Sequence, residues 1–338
     1  MKKSLVVLAF LGLASSAEAQ TPVAEMRTYD ISDLYFRDPF IMPVSKEKTY
    51  YMYRSASKHD ESGREIGGVE VFKSQDLKSW VGPKQVCVLP EDNWSRGGIW
   101  APEVHEYKGK YYLFATINSD VSCKKSVKGW PDYIWRGTQV LVSKSPEGPF
   151  LPMTDTQTTP VDEMALDGTL LVEGGKPYMI YCHEWVQVVD GEMCLLPLSD
   201  DLSHAVGPSV TLFNASAAPW STGLDNGQDK PRSYVTDGCF LYRTKTGQLL
   251  MIWSSFCKGQ YAIGIAESAS GRVTGPWRQQ TQPLFDENGG HAMIFRRFDG
   301  QPCIVLHQPN SPAGAERAHI YELEDCGNTL KILGELRQ

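Results

Sequence analysis

Three aspartates stand where a turn opens into a short apolar strand: Asp38 in RDPFIM, Asp167 in LDGTLLVE and Asp237 in TDGCFLYR. A fourth acid, Glu184, follows the strand PYMIYCH in His183-Glu184-Trp185. Carboxyl groups gathered in one pocket are equipment for proton transfer, because different surroundings push their pKa values apart and leave one a base and another an acid. Singly, each Asp-Pro or Asp-Gly is ordinary turn chemistry. These residues lie far apart in sequence, so they act together only if the fold carries the turns to one place.

The elements around them supply that fold. Two further turns of the same kind carry Ala101, in WAPEVHEY, and His291, in GHAMIFRR, and the five anchors are 63, 66, 70 and 54 residues apart. Each opening is followed by a second, aromatic-rich strand: TYYMYRS, KYYLFAT, PYMIYCH, LLMIWSS and PCIVLHQ. Third strands such as GVEVFKS and YAIGIAES close on Ser, Asp, Gly or Pro turns that lead to an outer strand. A unit repeated at this interval predicts an all-β, five-bladed β-propeller forming a single domain over residues 20–338. In a propeller the innermost strands start at one mouth of the central channel, so the five anchors converge. The stretch from Glu25 to Tyr35 is read as a closing strand for the last blade. Lys58–Gly67, Val121–Trp135 and Ser216–Tyr234 read as polar insertions, and Trp94, Trp130, Trp135, Trp185 and Trp220 fall in or beside such connections.

Residues 1–19 read as a secretory signal peptide: Lys2 and Lys3, an apolar run from Leu5 to Ala14, and Ala17-Glu18-Ala19 as an A-x-A cleavage pattern. The expected location is periplasmic or extracellular, with no membrane insertion. A net charge of −7 without a Lys/Arg run argues against nucleic acid and anionic membrane surfaces. The eight cysteines show neither a CxxC pair nor zinc spacing, and at most one or two disulfides are expected. No P-loop, HExxH, GxSxG elbow or dinucleotide fingerprint is present.

RDPFI, WAPEV, ALDGTLL, the acidic turn of blade four, GGHAMIF and the SxDLxxW outer turn together resemble glycoside hydrolase family 43, across essentially the whole mature chain. These are five-bladed propellers that cleave arabinose- and xylose-containing polysaccharides. The resemblance implies an inverting mechanism with Asp38 as general base and Asp167 tuning the acid. Asp237 falls where the family keeps a Glu acid, one methylene shorter, and is favoured over its rival Glu184. Trp100 and Phe36 are read as aromatic walls for a sugar. Arg317 matches an Arg that relatives keep near sugar hydroxyls. The resemblance also implies that His291 lies on the channel axis, either beside a calcium or other ion held largely by water or as a hydrogen-bonded histidine without an ion, while the chemistry itself requires no cofactor.

The expected function is thus an exported, monomeric hydrolase releasing pentosyl residues, foremost α-L-arabinofuranose, from plant-type oligo- or polysaccharide. An exo mode is read from the long insertions. The alternatives are a β-xylosidase or galactofuranosidase on the same scaffold, or a sugar-binding propeller without catalysis. A sialidase-like propeller is disfavoured, because the channel anchors are acidic.

Overall fold

The computed structural model describes residues 26–63, 65–123 and 133–336. The leader reading, Trp130 and the middle of the second insertion lie outside the described residues. Five antiparallel sheets follow one another along the chain and make a five-bladed propeller. Blade one contains Phe40–Val44, Thr49–His59, Glu65–Ser74 and Ser79–Val88. Blade two contains Ile99–Tyr107, Lys110–Cys123, Tyr133–Ser143 and Leu151–Pro152. Blade three contains Ala165–Glu173, Lys176–His183, Glu192–Pro197 and Val210–Asn214. Blade four contains Asp237–Arg243, Leu249–Cys257, Gln260–Ser268 and Trp277–Gln279. Blade five contains Gly290–Arg296, Pro302–Gln308, Arg317–Asp325 and Leu330–Glu335. Among the described residues the one α-helix is the single turn Trp185–Val188.

Second strands are apolar on both faces because a blade is covered by neighbours on both sides. The core therefore lies between blades. Trp253 of blade four is fully buried against Phe213 of blade three and Trp220, whose ring centroid stands 4.8 Å away. Burial of a side chain of this size contributes about 1.5–3 kcal/mol. Trp220 lies over Gly264, where an added Cβ would meet its ring at 2.1 Å, so only glycine fits. The SxDLxxW turn is an outer corner: Leu77 sits at φ +66°, the Asp76 carboxylate accepts from the backbone of Lys78 and Ser79, and buried Trp80 donates to the Leu77 carbonyl at 3.2 Å. Leu202 in blade three repeats the conformation at φ +65°.

Two expectations are corrected. The segment Arg27–Asp30 pairs with Ser79–Val88 and widens blade one instead of closing blade five. Blade five already has its outer strand in Leu330–Glu335, whereas the outer strand of blade one has an open edge. The ring is joined instead just before the first anchor. Tyr35 bridges to Arg317, the Phe36 N–H donates to the Glu316 carbonyl, and Arg37 Nη1 donates to Glu316 Oε1 at 2.9 Å. Second, Lys58–Gly67 is largely no loop: Lys58 pairs with Ile66 and His59 with Glu65, so the hairpin of blade one is simply long. In blade two the pairing likewise continues to Cys123 and Tyr133.

Candidate active site

Asp38, Ala101, Asp167, Gly238 and His291 share a left-handed backbone, with φ of +51°, +42°, +57°, +52° and +49°. Four of these residues pay strain for that conformation, of order 1–3 kcal/mol each, a pattern found at sites where geometry is fixed for function. The repeat position in blade four is therefore Gly238, and Asp237 belongs to the preceding position, with Arg37, Trp100, Leu166 and Gly290. The shift has a steric reason. A Cβ on Gly238 would lie 2.7 Å from the His291 Cα and 2.8 Å from its ring, leaving no room for an acid there.

Residues of both rows line a cavity of about 500 Å³. Asp38, Asp167 and His291 line it from the first row, and Arg37, Trp100, Leu166 and Asp237 from the second. Glu184 and Trp185 complete one wall. Blades one, three, four and five thus bring together the acids and the histidine singled out in the sequence. Asp167 is buried, at 4% exposure, and its backbone N–H donates to Thr116 while its Oδ2 accepts from the Gly238 N–H at 3.1 Å. His291 Nδ1 lies 3.1 Å from Asp38 Oδ1 and 3.9 Å from Asp167 Oδ2. The Tyr261 hydroxyl donates to Asp237 Oδ2 at 3.0 Å.

These surroundings separate the acidities. Burial alone would raise Asp38, but the neighbouring His291, backed by Arg37, outweighs it and holds its carboxyl well below the usual carboxylate range. Burial, reinforced by the charge of Asp38, pushes Asp167 up to about 8. Burial and the nearby Asp167 raise Asp237 to about 7, against the opposing pull of His291. One carboxylate is kept ionised and two are kept protonated towards neutral pH.

Glu184, 6% exposed, accepts from Arg136 Nη1 at 2.7 Å, and the Arg136 guanidinium lies 4.3 Å over the Trp100 ring. Trp100 itself is 44% exposed into the cavity, as an aromatic wall requires. Phe36 is not such a wall. It is fully buried, edge-on to Phe72 and under Arg54, because its side chain points into blade one. Arg317 does not reach the cavity either, since its guanidinium donates to the Ser32 and Glu316 carbonyls at the ring junction. Among the described residues the guanidinium groups at the cavity belong to Arg37, Arg54 and Arg136. Of the other tryptophans, Trp220 packs on Trp253, Trp94 donates to Gln139, and Trp135 donates to Gln157.

At the channel position of His291, Nδ1 is turned to Asp38 Oδ1 at 3.1 Å. Among the described residues the one convergence of three metal-competent groups is His183, Glu192 and Cys194. There both His183 nitrogens are spent, one on Glu192 and one on Gln187 at 2.9 Å each. Seven cysteines, Cys87, Cys182, Cys194, Cys239, Cys257, Cys303 and Cys326, are free thiols.

The family model described as glycosyl hydrolases family 43 matches residues 31–323. The chain belongs to this family. As a family 43 member it is a glycosidase with a carbohydrate substrate. A solved structure titled as an endo-arabinase from Bacteroides thetaiotaomicron VPI-5482 is 37% identical, covers 87% of this chain and 96% of its own, and superposes with a TM-score of 0.76. The extracellular exo-alpha-(1->5)-L-arabinofuranosidase ArbA of Cellvibrio japonicus (strain Ueda107) is 21% identical over 71% of this chain and 72% of its own. The extracellular endo-alpha-(1->5)-L-arabinanase 1 of Bacillus subtilis (strain 168) is 22% identical over 86% of this chain and 84% of its own.

Proposed function

We propose that this family 43 glycosidase is exported and hydrolyses α-linked L-arabinofuranosyl bonds of arabinan with inversion. The observation that carries the reading is the divided acidity of one cavity: Asp38 ionised beside two imidazoles, Asp237 protonated across the same cavity. An inverting hydrolase needs those two states on opposite faces of the bond, spaced to admit a water. Asp38 takes the proton of the attacking water. Asp237, steadied by Tyr261, gives one to the departing glycosidic oxygen, so leaving-group charge does not build up. Asp167, at 4% exposure, takes no part in proton transfer to the sugar and holds the backbone beside Asp237 through the Gly238 N–H. Glu184 donates no proton in this scheme, because Arg136 occupies its carboxylate at 2.7 Å. The pair it forms braces Trp100, on which a sugar face packs.

The arabinan substrate is supported by relatives named as arabinanases and an arabinofuranosidase. Export is supported by the leader pattern and by two relatives named extracellular. The test is linear arabinan incubated with wild type, Asp38→Asn and Asp237→Asn, with products separated by size. Wild type is expected to cleave it and both variants to lose most turnover. An inert wild type, or turnover on xylan alone, refutes the proposal. Arabinose alone at the earliest times marks exo attack, and a ladder of oligomers marks endo attack.

A further inference from the structure

His307, on the second strand of blade five, was not singled out by the sequence, and it is fully buried beside Asp38. Its protonation is fixed by elimination. An arginine only donates, and Arg37 Nη2 lies 3.1 Å from Asn310 Oδ1, so that oxygen faces Arg37 and His307 alike as an acceptor. His307 Nε2, at 3.2 Å from the same oxygen, must then carry a proton. In the neutral ring Nδ1 is bare and accepts the backbone N–H of Asp38 at 3.2 Å. The same Nδ1 stands 3.1 Å from Asp38 Oδ1. The other face of the ring stacks on Tyr261, centroids 5.6 Å apart, whose hydroxyl holds Asp237. His291 is the remaining titratable group nearby, its ring 6.5 Å away.

We propose that His307 is the positioning residue of the base. It fixes the strained backbone of Asp38 through Nδ1, whose lone pair accepts the Asp38 N–H. This rests on the assignment of Asp38 as base. In the step, the water O–H bond breaks and its proton arrives on Asp38, while the water oxygen bonds to the anomeric carbon as the glycosidic C–O bond breaks and the leaving oxygen takes the Asp237 proton. The proton on Asp38 returns to solvent after product leaves. Arg37 and Asn310 hold the ring in the one tautomer that leaves Nδ1 open, and Arg37 is anchored by Glu316 across the ring junction. Closure of the propeller and orientation of the base are thus one hydrogen-bonded chain.

The experiment compares wild type, His307→Asn and Asn310→Ala on linear arabinan, with kcat and KM over pH and thermal midpoints. Asn at 307 offers an acceptor for the Asp38 N–H on a shorter side chain that lacks the stack on Tyr261, so it holds the base less firmly. Its kcat is expected to fall roughly 10²-fold, as for a misheld catalytic group, with KM little changed. Asn310→Ala, which frees one edge of the ring, is expected to lower kcat in the same way by less. A kcat per folded molecule at the wild-type level in both variants, or a loss carried by KM alone, overturns the proposal. Asp38→Asn is measured alongside: if it remains active, the base assignment fails, and the failure is not of His307.

Discussion

Replacing Asp237 by Asn removes the one cavity carboxyl that the account assigns to proton donation. Its acidity of about 7 has a worked consequence. At pH 6 about nine-tenths of the molecules hold the donor proton and at pH 8 about one in eleven, so kcat/KM of wild type falls about tenfold between them. General acid catalysis contributes about 10²–10⁴-fold, and each factor of ten is about 1.4 kcal/mol of barrier. On arabinan, whose leaving oxygen must be protonated, Asp237→Asn should lose about 3–5 kcal/mol of transition-state stabilisation and the basic limb with it. On a nitrophenyl arabinofuranoside, whose leaving group departs without a proton, the loss should shrink to about tenfold or less. Initial rates on both substrates from pH 5 to 9 give the answer. The reasoning is refuted if Asp237→Asn keeps the basic limb, or if Glu184→Gln, and not Asp237→Asn, shows a loss that depends on the leaving group.

Tyr261→Phe deletes the hydrogen bond that opposes the rise of Asp237, so its basic limb should move to higher pH in the same assay. Burial pushes Asp167 up to about 8 in the folded chain, well above the ordinary carboxylate value of the unfolded one. The native state therefore binds more protons between these limits, and stability falls as pH rises through them. Asp167→Asn removes that burden and should raise stability at pH 7 by a few kcal/mol, on the order expected for such a shift. The gain should fade towards pH 4 in urea titrations, while activity drops. Arg136→Met breaks the buried ion pair with Glu184 and should cost about 3–5 kcal/mol by chemical denaturation. Gly264→Ala drives a methyl group into Trp220 and should cost about 1–3 kcal/mol by the same method.

The repeat made the architecture legible, because each blade spends similar residues on similar turns. Asp38, Asp167 and His291 were found from that regularity, and their shared left-handed backbone is its physical basis. Asp237 was found for a reason that is off by one residue. Its Asp-Gly looks like the Asp-Gly of blade three, yet the glycine fills the repeat position because His291 crowds it. His307, Tyr261 and Arg136 were missed, since they come from second and third strands whose reach towards the channel depends on register. Nothing in their local sequence marks them. Phe36 and Arg317 were misplaced by the same gap in information. Residues beside an anchor alternate between cavity and blade interior, and the ring junction claims the side chain of Arg317. The N-terminal strand went to blade one because edge availability is a property of the finished ring.

The central claim is that a base in blade one and an acid in blade four attack one bond from opposite faces. Proton NMR of the sugar released in the first minutes from an α-L-arabinofuranosyl substrate reads this directly. The account predicts that the β-anomer appears first and then mutarotates. First appearance of the α-anomer would contradict it.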